Sequence, residues 1–127
     1  MTLEDDIKKL KGITRVGFSL VDFIRSIHPG EFQLEGNYWV YRPDNFVTID
    51  VHWKRANNIT LSLRGAPTEF VTHAGSPLTY GMGNVYSRCK IERADQLDAA
   101  SYYIRRALEL YQRGRSRPIR RPRTIES

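Results

Sequence analysis

The chain has little of what would staple or anchor a protein from outside its own core. It holds one cysteine, Cys89, so no internal disulfide can form. Its three histidines and single cysteine show none of the paired spacing that a structural zinc site requires. No apolar run reaches the roughly 18 residues needed to cross a bilayer. The opening residues Met1-Thr2-Leu3-Glu4-Asp5-Asp6 are acidic where a secretory signal would be basic and then apolar. These features lead to the expectation of a cytoplasmic protein without membrane contact, metal or cofactor. With 127 residues, 40% of them hydrophobic, the chain is long enough to bury a core without covalent help.

Acidic residues are outnumbered by basic ones, and the imbalance is uneven along the chain. The net charge is +6, but residues 113–127 carry Arg113, Arg115, Arg117, Arg120, Arg121 and Arg123 against Glu126 alone. Residues 1–112 are therefore almost neutral, and the basicity is terminal. That terminal stretch has two prolines and almost nothing to bury, which predicts a basic tail, disordered when free, following a single domain over 1–112.

What is present in quantity is alternation. From Phe46 to Leu63 the chain reads as two runs of period two separated by Arg55-Ala56-Asn57-Asn58, which predicts a β-hairpin. Val47, Ile49, Val51 and Trp53 share one face with Ile59, Leu61 and Leu63. The opposite face takes Phe46, Thr48, Asp50, His52 and Lys54, with Thr60, Ser62 and Arg64 across from them. One face builds a core and the other meets water or a partner.

Before the hairpin, Thr2 with Asp5 caps a short helix that Gly12 stops. Ser19 and Asp22 are placed to cap a second helix, whose apolar stripe is Leu20, Val21, Phe23, Ile24 and Ile27 and which His28-Pro29-Gly30 ends. Leu34 to Arg42 reads as one strand. After the hairpin, Glu69 to Thr72 is a candidate short strand, His73 to Asn84 a glycine-rich loop, and Val85 to Glu92 the last strand. Asp95 and Asp98 look like the cap of a long helix with the stripe Leu97, Ala100, Ile104, Ala107, Leu108 and Tyr111, with Gly114 as its stop. Trp39 and Trp53 fall in strand patterns and belong to the core, as does Cys89. The sum is an α+β domain: a mainly antiparallel sheet of four to five strands, with two N-terminal helices and one long C-terminal helix packed on one face.

Three chemistries compete for the exposed residues. Arginine forks two hydrogen bonds to a phosphate and stays charged, so the six tail arginines suit a polyanion. Arg64, Arg88, Lys90, His52 and Lys54, with Tyr86 among them, fall on the face opposite the apolar set and supply a second contact. A nuclease reading takes His52 as a base oriented by Asp50. The run P-D-N-F-V-T-I-D-V-H-W-K resembles the PD-(D/E)xK nuclease motif, yet His52 stands where lysine belongs and Lys54 falls two positions late. The third reading is a protein-interaction module that forms a homodimer or docks on a larger enzyme. His28 and His73 are lone histidines beside turns, and the glycines 75, 81 and 83 do not make a phosphate-binding loop.

Ile91, Asp95, Leu97, Asp98, Ile104 and Ala107, within V-Y-S-R-C-K-I-E-R-A-D-Q-L-D-A-A-S-Y-Y-I-R-R-A-L-E-L-Y, follow a strand-to-helix pattern. The pattern resembles the ending of a family of small bacterial α+β domains of unknown function, some appended to restriction-like or phage-defence proteins. The resemblance covers a third of the chain, implies the fold and a bacterial cytoplasmic setting, and implies no catalytic residue. The expected function is a non-enzymatic nucleic-acid-binding or defence-associated accessory protein.

Overall fold

The computed structural model describes residues 1–116. Its elements are α1 (Leu3–Ile7), α2 (Thr14–Ile27), β1 (Glu31–Glu35), β2 (Tyr38–Arg42), β3 (Val47–His52), β4 (Asn58–Arg64), β5 (Thr79–Tyr80), β6 (Tyr86–Ile91) and α3 (Leu97–Ser116), with short 3-10 turns at Pro67–Glu69, Met82–Asn84 and Ala94–Gln96. The strands form one antiparallel sheet in the order β1-β2-β3-β4-β6-β5.

The central hairpin has the anticipated register: Val47 opposite Leu63, Ile49 opposite Leu61 and Val51 opposite Ile59. Val47, Ile49, Ile59, Leu61 and Leu63, with Cys89 and Ile91 of β6, meet Leu20, Val21 and Ile24 of α2 and Ala100, Tyr103, Ile104 and Ala107 of α3 in one buried cluster, against which Val51 is partly buried. Removing each such aliphatic side chain from water contributes about 1.5–3 kcal/mol, so the helix layer and the inner sheet face stabilise each other. α1 is capped by reciprocal bonds between Thr2 and Asp5 and packs against α2, burying Leu3 and Ile7 in the core with Ile7 close to Gly17.

The sheet has six strands, where four to five were expected. Leu34 to Arg42 is not one strand: the chain reverses at Gly36-Asn37, and Gly36 takes a φ of +65°, open to glycine without strain. The sixth strand, β5, is a two-residue pairing inside the glycine-rich loop, Thr79 opposite Arg88 and Tyr80 opposite Ser87. Glu69 to Thr72 forms no strand; a 3-10 turn occupies Pro67–Glu69, because proline at its start removes a ladder donor.

Helix boundaries move as well. α2 begins at Thr14, five residues before Ser19, because Val16 and Gly17 extend the stripe of Leu20, Val21 and Ile24 by a turn and bury it. α3 does not stop at Gly114 but runs to Ser116, so Arg113 and Arg115 are helical positions. Gly114 is absent from the glycines with positive φ, and a single glycine near a helix end costs only about 1 kcal/mol. Asp95 pairs with Arg93 instead of capping α3. Gln96 closes the 3-10 turn that leads into α3: its Oε1 accepts from the backbone N–H of Glu92 and Arg93 at 2.7 and 3.0 Å. Phe46 lies just before β3 and is buried against Tyr41 and His28, which removes it from the outer face. β3 ends at His52, so Trp53 and Lys54 belong to the loop, with the ammonium groups of Lys9 and Lys54 at 4.3 and 5.3 Å from the centre of the Trp53 ring.

Candidate nucleic-acid interface

The outer sheet face is built from every second residue of β2, β3, β4 and β6. Pairing registers fix its rows: Val40, Thr48, Ser62 and Arg88 lie side by side across four strands, with Thr60 opposite Lys90 and Arg64 opposite Tyr86 in flanking rows. No helix covers this face among the described residues; its basic residues on β4 and β6 are Arg64, Arg88 and Lys90, while Arg42 on β2 and Asp50 on β3 share the face by register, with Glu31 and Glu35 of β1 opposite Arg42 and Tyr38.

Tyr86 organises the basic end. The Arg64 guanidinium carbon sits 5.7 Å from the centre of its ring, and the same arginine donates to the Tyr86 hydroxyl at 3.4 Å. This contact directs the guanidinium across the aromatic face, within cation–π range. Arg88 and Lys90 are exposed on the same strand. Arg64 also lines a cleft of about 360 Å³ together with Arg113 of α3, with Leu110, Asn84 and Glu69 around it. The last turns of α3 therefore end beside the basic corner of the sheet face.

At the opposite end of the face, His52 Nε2 is 3.1 Å from Asp50 Oδ2. Burial holds the Asp50 carboxyl above its ordinary value, while the charges of His52 and Arg88 pull it back down. These two residues line a concavity of about 470 Å³ with Lys54, Arg55 and Asn37.

Of the residues singled out in the sequence, the structure brings Arg64, Arg88 and Lys90 together on one face and adds Arg113 at its corner. His52 occupies the same face farther off, and Lys54 lies in the β3–β4 loop. Arg115 falls within α3; Arg117, Arg120, Arg121 and Arg123 lie outside the described residues. Cys89 is buried, its thiol pushed up to about 11 by that burial, and is inert as a nucleophile. Among the described residues, no group of three His, Cys, Asp or Glu side chains is placed to hold a metal ion, and no helix is long and apolar enough to cross a membrane.

Two other polar clusters are structural. His28 Nε2 lies 2.7 Å from Asp44 Oδ2, and the Tyr111 hydroxyl donates to Asp44 Oδ1, tying the end of α2 and the β2–β3 turn to α3. The backbone N–H of His73 donates to the Tyr103 hydroxyl, which donates in turn to the Ser76 carbonyl, pinning the start of the glycine-rich loop.

The residues that sequence reading passed over are Tyr38, Val40, Asn45 and Met82, which form a hollow on the outer face with Thr48, Ser62, Tyr86 and Arg88. One signal was available: alternation along Tyr38–Arg42 puts Val40 opposite in sense to Trp39 and Tyr41, an apolar residue on the polar side. Comparisons with family models, with curated proteins and with solved structures return no match to this chain.

Proposed function

We propose that this protein binds single-stranded nucleic acid, without catalysing a reaction on it, through the outer face of its sheet and the arginine-rich segment that follows α3. The observation that carries the reading is the continuity of the basic surface: Arg88 and Lys90 lead along β6 to the Arg64–Tyr86 stack, and Arg64 shares a cleft with Arg113. In this reading the arginines that follow Arg113 in sequence add phosphate contacts to those of the sheet face.

The parts have separable physical roles. Guanidinium and ammonium groups neutralise phosphates and release condensed counterions, a contribution indifferent to sequence. Tyr86, and Tyr38 across the sheet, offer ring faces on which bases stack. Thr48, Thr60 and Ser62 provide short hydroxyls that do not obstruct a strand lying over the sheet. A duplex suits this surface less well, since its bases are already stacked and a broad sheet does not enter a groove in the way a helix does.

Cleavage is not part of the proposal. The Asp50–His52 pair has the two members of an acid–base dyad, but the charged groups that would steady a phosphate there, Lys54 and Arg55, sit on a loop of exposed side chains.

The test is fluorescence anisotropy with labelled single-stranded and duplex oligonucleotides, using the full chain and a full-length variant with Arg117, Arg120, Arg121 and Arg123 changed to serine. The single strand binds more tightly than the duplex, and the serine variant binds both more weakly. No binding of either probe at low salt would refute the proposal.

A further inference from the structure

The outer face of an antiparallel sheet is ordinarily a flat, polar surface. Here it encloses a hollow of about 250 Å³ whose floor includes Val40. Val40 points away from the helices, as its alternation with buried Trp39 and Tyr41 requires, yet it is only 8% exposed. Its neighbours on the outer face border the hollow with it. Tyr38 precedes it by two residues on the same strand, Tyr86 lies toward the basic corner, and Met82 reaches in from the loop before β6. That loop is held close by the Gly81 N–H, which donates to the Tyr86 carbonyl at 2.8 Å; any side chain at Gly81 would crowd Tyr86 at 3.0–3.2 Å.

We infer that this hollow receives one unstacked nucleobase of a bound single strand, with the strand's phosphates directed toward Arg88 and Arg64. The inference rests on the single-strand reading above and names what that surface grips. Four features select this occupant. The volume falls below the roughly 300–1,000 Å³ of sites for drug-sized ligands, and suits one planar ring system with part of its sugar. Two tyrosines border an aliphatic floor, the surroundings in which a flat aromatic ring loses least on leaving water. Asn45, Thr48 and Ser62 supply donors and acceptors suited to a base edge; Thr48 Oγ1 donates to Asn45 Oδ1 at 3.2 Å, so the Asn45 N–H groups are the donors it has left to offer. Arg88 at the rim adds a fixed positive charge. A lipid chain would strand the three polar side chains, and a lone phosphate would leave Val40 and Met82 without a role. Met82, 78% exposed and unbranched, can fold over whatever enters.

The experiment compares a labelled single-stranded DNA oligomer with one of the same length and phosphate count in which every internal base is replaced by an abasic spacer. Full-length protein is used throughout, in three forms: unchanged, Ser62→Ile, which fills the hollow, and Tyr38→Ala, which removes a half-exposed wall. Circular dichroism and melting confirm that each is folded, and the exposed position of Tyr38 keeps one variant free of packing risk. The unchanged protein prefers the base-bearing strand roughly tenfold or more, as the loss of one stacked base implies. Both variants lose that preference while keeping the affinity for the abasic strand. Equal binding of the two strands by the unchanged protein would overturn the base site while leaving single-strand binding intact. A preference that survives both substitutions would place the base elsewhere and also overturn it. Failure of both strands to bind would overturn this inference together with the reading it rests on.

Discussion

Replacing Gln96 with leucine removes the junction on which the end of β6, the loop at Gly75–Ser76 and the start of α3 converge. Gln96 is 4% exposed. Its Oε1 accepts from two backbone N–H groups, and the two protons on Nε2 are shared among the carbonyls of Gly75 and Lys90 and the Ser76 hydroxyl at 3.1–3.2 Å. A lost intramolecular hydrogen bond costs about 0.5–1.5 kcal/mol net, and more where a buried group is left without a partner. Five are lost here, but Glu92, Arg93 and Gly75 are exposed residues that water can reach, whereas Ser76 is 2% exposed. The result is a cost of about 3 kcal/mol, a large part of the roughly 5–15 kcal/mol that a domain of this kind has. In urea unfolding with a slope of about 2 kcal/mol/M, the midpoint falls by about 1.5 M at unchanged slope. Asp95→Ala is the contrast: that carboxylate is exposed and among the described residues pairs with Arg93 alone, so its removal costs less than about 0.5 kcal/mol. Should Asp95→Ala prove the more damaging of the two, the buried network at Gln96 does not hold this junction together.

Three further outcomes follow from particular contacts. Gly65→Ala destabilises by about 2–4 kcal/mol in thermal unfolding, because φ at this residue is +116° and an added Cβ would lie 2.4 Å from Leu110 Cδ1; strain and overlap act in the same direction. Glu4 is held below its usual value of 4.5 chiefly by its hydrogen bond from Arg25, so its contribution is complete above pH 4.5 and fades as pH falls through the lower folded value. Glu4→Gln therefore flattens the acid limb of a stability–pH profile, with a loss of roughly 0.5 kcal/mol near neutrality. Asp50 has the opposite sign: burial raises its folded value above 3.8, the folded state holds the proton longer, and stability declines as pH rises from 3.8 through the folded value. Asp50→Asn removes that decline, and urea midpoints measured from pH 3 to 7 for both proteins would reveal an unchanged profile if the carboxylate were not buried as described.

How much was legible in the chain depended on whether the signal was local. Period two from Val47 to Leu63 specified the hairpin and its register, because a slip of one residue would move Ile49, Leu61 and Leu63 to water. Helical spacing in α3 was equally plain. The division of Leu34–Arg42 into two strands was less so, since Gly36-Asn37 interrupts a run of strand-forming aromatics that otherwise reads as continuous. Gln96 could not be recognised as a buried junction because its partners include Gly75, Ser76 and Lys90, and only the folded chain brings the first two near. Phe46 was misplaced because alternation was extended one residue beyond the strand that enforces it. On the outer face, alternation did group Arg64, Arg88, Lys90 and His52. The hollow at Val40 stayed hidden since Tyr38, Met82 and Tyr86 come from three separate segments, and Arg113 meets Arg64 only through the packing of α3.

The measurement that bears most directly on the central claim is the salt dependence of single-strand binding by the full chain and by its Arg88→Ala/Lys90→Ala variant. Both residues are exposed on β6, so the fold tolerates their loss. If each contacts a phosphate, the slope of log affinity against log salt becomes shallower by about 1.4, twice the roughly 0.7 per contact of a single strand. A variant whose slope and affinity match those of the unchanged protein would contradict the assignment of the sheet face as the nucleic-acid interface.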